Sequence, residues 1–438
     1  MLRKLTTRLT PNEHNREVLR NTMLALALRA IGALLAFALN AVIARLLGAS
    51  GAGIYFLALS ITTIAALIAR QGLDNALLRF IAAAAAKEEW TKARSIFAKG
   101  AKIVLLSSAC LALLVVIGAD IFAVYVFDLP ELAQPLRFMS VAIMGAAMMF
   151  TLSESLKALN KVASSVIVVT VIFPLVALLC LWPLTSLYGP AGAAASYAIG
   201  VICAGALGFG LWLWFMRERR GGEGGAVPTG ELFASSRPLW VMALVNRGVI
   251  PWTPLLFLGV WATPEETGIF GAATRIALLL SFFILAVNAA VAPKIGQLHA
   301  HGKHEAMQNL YRFTIAGLLP ATACLFVLLL LAGDKVLILF GQEFVEGKTA
   351  LIILGAGQMV QAVMGSVGHL LIMTGHEREV RTATLAGAAT VIGFSALLIP
   401  FYGMVGAAIA SALALSVSNI AAYGFVRSRL KFTGFKYF

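Results

Sequence analysis

Apolar residues run through this chain in long solid blocks separated by short polar segments. Twelve blocks have roughly the 20-residue length of a bilayer-crossing helix. They cover 23–47, 54–80, 103–127, 136–157, 163–184, 191–216, 238–261, 268–292, 312–333, 349–374, 382–400 and 404–426. Membrane-spanning strands would instead show short alternating segments. The pattern therefore predicts an all-α polytopic membrane protein of about 12 transmembrane helices. The first block is too long for a signal peptide and lacks a small-residue cleavage site, so it is read as a retained span.

The pattern also repeats. Gly53-Ile54-Tyr55 opens the second block and Gly268-Ile269-Phe270 the eighth, at an offset of 215 that also carries Arg79 onto Lys294. Tyr188-Gly189-Pro190-Ala191-Gly192-Ala193-Ala194 and Tyr402-Gly403-Met404-Val405-Gly406-Ala407-Ala408 open the sixth and twelfth blocks at an offset of 214. These matches predict two six-helix lobes. Six is even, so both lobes insert the same way round, as a parallel repeat about an axis along the membrane normal, with substrate sites between them. The expected organisation is a cytoplasmic segment 1–22, an N-lobe 23–216, a linker 217–237, a C-lobe 238–426 and a tail 427–438. The linker holds the flexible stretch Gly221-Gly222-Glu223-Gly224-Gly225.

Composition sharpens this picture. The chain of 438 residues is 60% hydrophobic and 12% charged, with mean hydropathy +0.90. Soluble proteins average about 45–50% apolar and about 25% charged, so a soluble enzyme is excluded. The net charge of +14 would suggest nucleic acid in a soluble protein. Sorted by side, however, most basic residues fall in alternate segments: the N-terminal segment, the loop with Lys87 and Arg94, the linker, and the tail with Arg427 and Arg429. The opposite segments hold few, among them Arg45, Arg137, Lys335 and Lys348, together with Asp120, Asp128, Asp334 and Glu343. This is the positive-inside bias, and it places both termini in the cytoplasm. No nucleic-acid partner is expected. Cys110, Cys180, Cys203 and Cys324 all lie in apolar blocks without paired spacing and read as packing residues.

Charges inside the blocks are the candidate chemistry, because each costs about 2.5–3.5 kcal/mol at a helix centre on insertion scales. Arg70 and Asp74, spaced i, i+4, can pair on one helix face, either as structural glue or as part of a site. Arg79 lies near a block end and can snorkel. Glu154 and its repeat counterpart His369 either line a cavity or meet the interface; with Asp74 they are the titratable candidates for proton or sodium coupling. Arg29, Arg247 and Arg275 have no acidic residue within a turn. Arg29 and Arg247 lie at similar depths in corresponding blocks. Facing each other, they would form a cationic cavity suited to an anion, since guanidinium binds phosphate oxygens bidentately; otherwise they snorkel or pair with carboxylates of other helices.

Two other signals carry no chemistry. Gly341 to Thr349 imitates a phosphate loop but has five residues between its glycines, not four. His299, His301 and His304 lack a carboxylate or cysteine at metal-ligand spacing. No metal, cofactor or catalytic group is expected.

Ala44-Arg45-Leu46-Leu47-Gly48 with Gly51-Ala52-Gly53-Ile54-Tyr55, and Gly72-Leu73-Asp74 with Arg79-Phe80, resemble the first-half signature of bacterial polysaccharide-biosynthesis flippases of the O-antigen type. In the second half Glu266-Thr267-Gly268-Ile269-Phe270, Ala273-Thr274-Arg275-Ile276 and Ala292-Pro293-Lys294-Ile295 continue the likeness. These flippases belong to the multidrug/oligosaccharidyl-lipid/polysaccharide exporter superfamily. The resemblance implies two MATE-like lobes alternating about a central cavity in the bacterial inner membrane. It implies an oligosaccharide on an undecaprenyl-pyrophosphate type carrier, moved to the periplasmic leaflet for O-antigen, capsule or exopolysaccharide assembly. Glycosyltransferases and a polymerase of the pathway would be its partners. Arg29, Arg247, Arg275, Arg70 and Arg79 would then be the substrate-binding candidates. The multidrug branch of the superfamily exports cations, for which an interior rich in arginine is ill suited. A membrane-embedded polymerase or ligase would carry a larger outward loop than the stretches around 120–135 and 334–348.

Overall fold

The computed structural model describes residues 13–219, 221, 229–430 and 432, and the elements among them are helical. The chain runs through α1 (Glu13–Arg70), α2 (Leu73–Ala86), α3 (Trp90–Val126), α4 (Pro130–Ala158), α5 (Val162–Tyr188) and α6 (Pro190–Met216). It continues through α7 (229–261), α8 (Pro264–Ala300), α9 (His304–Ile338), α10 (Lys348–Met364), α11 (Val367–Met373) and α12 (Glu377–Leu430). Short π-helical stretches interrupt α5 at Ile167–Ile172 and α7 at Val245–Val249.

Among the described residues eight helices are long and apolar enough to cross a membrane, or nine if the bent pair α10–α11 is one span. Two of them are long enough to cross twice. The 58 residues of α1 and 54 of α12 would reach about 80–90 Å at 1.5 Å per residue, against a hydrocarbon core of about 30 Å. Each is kinked at a glycine, Gly48 or Gly403, between two of the expected blocks. Large apolar side chains such as Leu34, Tyr125, Leu179, Phe313, Leu331 and Phe401 are exposed. Water would penalise such a surface and lipid accepts it. The protein is a multi-span membrane protein.

The sequence repeat has local structural counterparts. Gly189 sits at φ 55°, ψ −131° and Gly403 at φ 49°, ψ −130°, a left-handed conformation that a side chain would strain. Three residues on, a Cβ at Gly192 would meet the Leu184 carbonyl oxygen at 1.9 Å, and one at Gly406 would meet that of Leu398 at 2.6 Å. Ion pairs repeat as well: Asp120–Arg137 at 2.6 Å joins α3 to α4, and Asp334–Lys348 at 2.6 Å joins α9 to α10.

The largest buried cluster draws on both halves of the chain. It packs Leu39, Ile43, Tyr55 and Phe56 of α1 against Ile269, Phe270, Ile276, Phe340 and Phe344. Polar links reinforce this seam. Arg45 donates to the carbonyls of Leu339 at 2.8 Å and Ile338 at 3.3 Å, and the Ala49 amide donates to Glu343 Oε2 at 2.9 Å. Within the second half, Glu266 Oε2 accepts from the Met404 amide at 2.9 Å, just beyond the second kink. The other buried clusters do not bridge the halves in this way. Two belong to the first half, joined there by Leu232 of α7, and two to the second.

Several boundaries differ from the hydropathy expectation. The block 54–80 is not one helix: α1 ends at Arg70, the chain turns through Gln71 and Gly72 with positive φ, and α2 starts afresh. The block 349–374 breaks at Gly365 with a bend of 42°. Helix α7 begins at Thr229, within the expected linker, while 222–228 lie outside the described residues. So do Arg3, Lys4 and Arg8 of the expected cytoplasmic segment. Cys110, Cys203 and Cys324 are exposed rather than packed, and all four cysteines are free.

Candidate substrate-binding site

Arg70 ends α1 and Asp74 lies in the first turn of α2. They pair at 3.0 Å with both residues buried, 5% and 6% exposed. The pairing spans a helix break and not the single helix face that their spacing suggested. The Gly72 turn swings the first turn of α2 beneath the last turn of α1. Arg70 Nε also donates to the Ala66 carbonyl at 3.4 Å, and its guanidinium lies 4.5 Å over the Phe150 ring of α4. A buried pair is stable when its remaining hydrogen-bonding positions are met, and this one is largely met from within the first half.

Helix α7 comes against this corner from the second half. A Cβ at Gly248 would meet Leu67 at 3.2 Å, and Trp240 Nε1 donates to the Leu67 carbonyl at 3.3 Å. The contact places Arg247, on the π-helical stretch, within electrostatic reach of Arg70. Glu154 is within reach of Arg70 too, but it is held by Lys157 at 2.5 Å. Among the described residues Arg247 makes no ion pair, and it is exposed. The corner thus gathers Arg70, Asp74, Glu154 and Arg247, with each carboxylate engaged by a cation and one guanidinium presented outward.

The other expected residues stand apart. Arg275 lies in the seam. It donates to Asn40 Oδ1 at 2.9 Å and to the Gly271 carbonyl at 3.0 Å, and its guanidinium sits 4.0 Å from the Phe56 ring and 5.8 Å from that of Trp252. Asn40 and the two aromatic rings were not singled out from the sequence; an amide inside an apolar block was the available signal. Arg29 is half-buried on α1. Arg79 is exposed on α2 and rests over its neighbour Phe80 at 4.8 Å. His369, on α11, lines a cavity in the second half together with Asn288, Gln361 and Asn419. None of those three amides was anticipated. His299 and His304 lie with ring centres 6.1 Å apart, and no group of three or more His, Cys, Asp or Glu suited to a metal occurs among the described residues.

Comparison with known proteins bears on this architecture. The chain is 23% identical over 181 residues to a probable low-salt glycan biosynthesis flippase, Agl15, of Haloferax volcanii, covering 41% of this chain and 38% of that one. It is 26% identical over 201 residues to the capsular polysaccharide biosynthesis protein CapF of Staphylococcus aureus, covering 45% and 50%. The chain therefore matches half or less of the length of these curated relatives. In fold it is similar to the lipid II flippase MurJ in an inward closed conformation, with a TM-score of 0.75 at 13% identity over 92% of this chain and 87% of that one. It is similar to MATE family multidrug resistance transporters, each over 94% of this chain, at 16% identity to one in an inward-facing conformation and 15% to one in an outward-facing conformation. The TM-score is 0.74 for the inward-facing structure, of which 98% is covered, and 0.59 for the outward-facing one, of which 95% is covered. The profile of the polysaccharide biosynthesis protein family matches residues 18–299, well over half of the sequence. The chain belongs to the polysaccharide biosynthesis protein family.

Proposed function

We propose that this chain is a flippase for a lipid-linked glycan. It moves an isoprenoid-pyrophosphate-linked oligosaccharide from the cytoplasmic to the periplasmic leaflet of the bacterial inner membrane, for assembly of O-antigen, capsule or exopolysaccharide. Both termini are cytoplasmic, and two six-helix lobes alternate in access. Glycosyltransferases and a polymerase of the pathway supply and consume the glycan. The observation that carries the reading is Arg247: an exposed guanidinium without an ion pair among the described residues, inside an apolar helix, set beside the neutralised Arg70–Asp74 pair where α7 passes the first half. Such a group holds a pyrophosphate through charge-assisted hydrogen bonds and repels cations. The seam joining the halves at the Gly53 end supports an inward-open resting state. Arg29, on α1, is a second group for the pyrophosphate, and Glu154 and His369 couple transport to protons.

The test is translocation of a labelled polyprenyl-pyrophosphate oligosaccharide in proteoliposomes. Arg247→Ala should slow it roughly tenfold or more, the loss expected for a charged hydrogen bond. Wild-type protein that moves no glycan lipid faster than empty liposomes, but exports an organic cation, would refute the reading. Glu154→Gln and His369→Ala variants that keep the wild-type response to a pH or sodium gradient would remove both residues as coupling groups.

A further inference from the structure

The second half of the chain encloses a cavity of about 360 Å3 between α7, α8, α10, α11 and α12. Its polar lining includes Asn246, Asn288, Gln361, Ser366, His369 and Asn419, with no aspartate or glutamate. The hydrogen bonds of these residues leave a wall of mixed donors and acceptors without a carboxylate. Asn246 Nδ2 donates to the Met242 carbonyl at 3.1 Å and Asn419 Nδ2 to that of Leu415 at 2.8 Å, so each keeps its Oδ1 as an acceptor. Ser366 Oγ donates to Asn288 Oδ1, which leaves the Asn288 amide hydrogens as donors. Amides concentrated in a membrane-spanning bundle are costly unless polar matter fills the space between them. A bare cation would be drawn to carboxylate oxygens, which this wall lacks. A neutral ligand with many hydroxyl and amide groups matches it.

The cavity is also where a span is interrupted. Gly365 (φ 67°, ψ −150°) separates α10 from α11, and both Gly365 and Ser366 line the space. The Met364 carbonyl just before the break is held by the Tyr311 hydroxyl at 2.6 Å. Discontinuous helices mark substrate sites in secondary transporters. The position is informative as well. Asn246 lines the cavity, and the next residue on the same π-helical stretch is Arg247.

We propose that this cavity is a sugar subsite. It receives the hydroxyl and acetamido groups of the sugars nearest the carrier while Arg247 holds the adjoining pyrophosphate. The proposal rests on the flippase reading and assigns the amides of the second half to glycan recognition. The full-length protein in nanodiscs would be titrated with two probes, decaprenyl pyrophosphate and the same lipid carrying an N-acetylhexosamine disaccharide. Wild-type protein should bind the sugar-bearing probe more tightly, by roughly tenfold for one or two hydrogen bonds. Asn419→Leu and Gln361→Leu should lower the affinity for that probe to that of the bare lipid, Asn419→Gln should retain part of the difference, and Arg247→Ala should weaken both probes. Equal wild-type affinity for the two probes would overturn the sugar subsite and leave the flippase reading standing. So would a sodium-binding signal abolished by Asn419→Leu in protein that binds both probes normally. Wild-type protein that binds neither probe would overturn the flippase reading itself. Melting temperatures separate misfolded variants from the rest, and the wild-type comparison needs no variant at all.

Discussion

Gly53 and Gly268, at equivalent positions of the two halves, face each other backbone to backbone. A Cβ on Gly53 would lie 1.8 Å from the Pro264 carbonyl oxygen and one on Gly268 2.0 Å from that of Ala49, with the opposing glycine amide about as near as a Cβ can approach in each case. Both neighbours are main chain, so neither can turn aside. Gly53→Ala and Gly268→Ala should each destabilise the seam by about 1–3 kcal/mol, as overpacking does. The check is a melting curve in detergent together with a spin-label distance across this end, which should lengthen. Unchanged distances and melting in both variants would contradict the backbone contact.

Glu343 holds the Ala49 amide from the opposite half, at the first turn after the Gly48 kink. Removing such a cap costs about 0.5–2 kcal/mol. Here the loss falls only on the state in which the halves meet. Glu343→Ala should therefore raise the population separated at this end by roughly two- to thirtyfold, the same range of free energy expressed as a ratio. Double electron–electron resonance between labels on the two halves would read the shift.

The Arg70–Asp74 pair lies in an apolar corner. Asp74→Ala leaves a buried guanidinium uncompensated and should cost about 3–5 kcal/mol, whereas the double variant Arg70→Met with Asp74→Leu should recover most of that loss. A thermal double-mutant cycle measures the coupling directly. Independent, additive losses would show that the pair contributes nothing as a pair.

Arg275 bridges the halves through Asn40 and lies over Phe56. A lysine keeps the charge but cannot reproduce the planar contact and the directed Nε bond. Arg275→Lys should lose about 1–2 kcal/mol in melting stability, and adding Asn40→Ala should cost little more, since both remove one link. Full rescue of an Arg275→Ala defect by lysine would mean that charge alone matters there.

Much of the architecture was readable from solid apolar blocks and their repetition, because burial in lipid writes itself into hydropathy over a whole crossing. The turns Tyr188-Gly189 and Tyr402-Gly403 matched in sequence and match in backbone angles. The breaks at Gly72 and Gly365 were hidden, since hydropathy averaged over a whole crossing carries no angular information and passes over a short polar stretch such as Arg70 to Asn75. In the site, charged residues were easy to find because charge in a membrane is expensive. Their company was harder to see. Phe56 and Trp252 around Arg275 are ordinary apolar residues by sequence, and Asn288, Gln361 and Asn419 are neutral amides scattered over three helices that only folding brings together. The link from Arg247 to Arg70 depends on the close passage of Gly248 beside Leu67, which no spacing along the chain encodes.

The polar links across the seam have an evolutionary consequence. Arg45 reaches the carbonyls of Ile338 and Leu339, and Glu343 reaches the amide of Ala49. Each link pairs one side chain with main-chain atoms: carbonyls, which every residue supplies, or an amide, which every residue but proline supplies. Positions 49, 338 and 339 are therefore free to drift so far as these bonds are concerned, while 45 and 343 are not. Related sequences should hold the arginine and glutamate without matched changes opposite them, and a search for correlated substitutions between the halves would pass over these attachments.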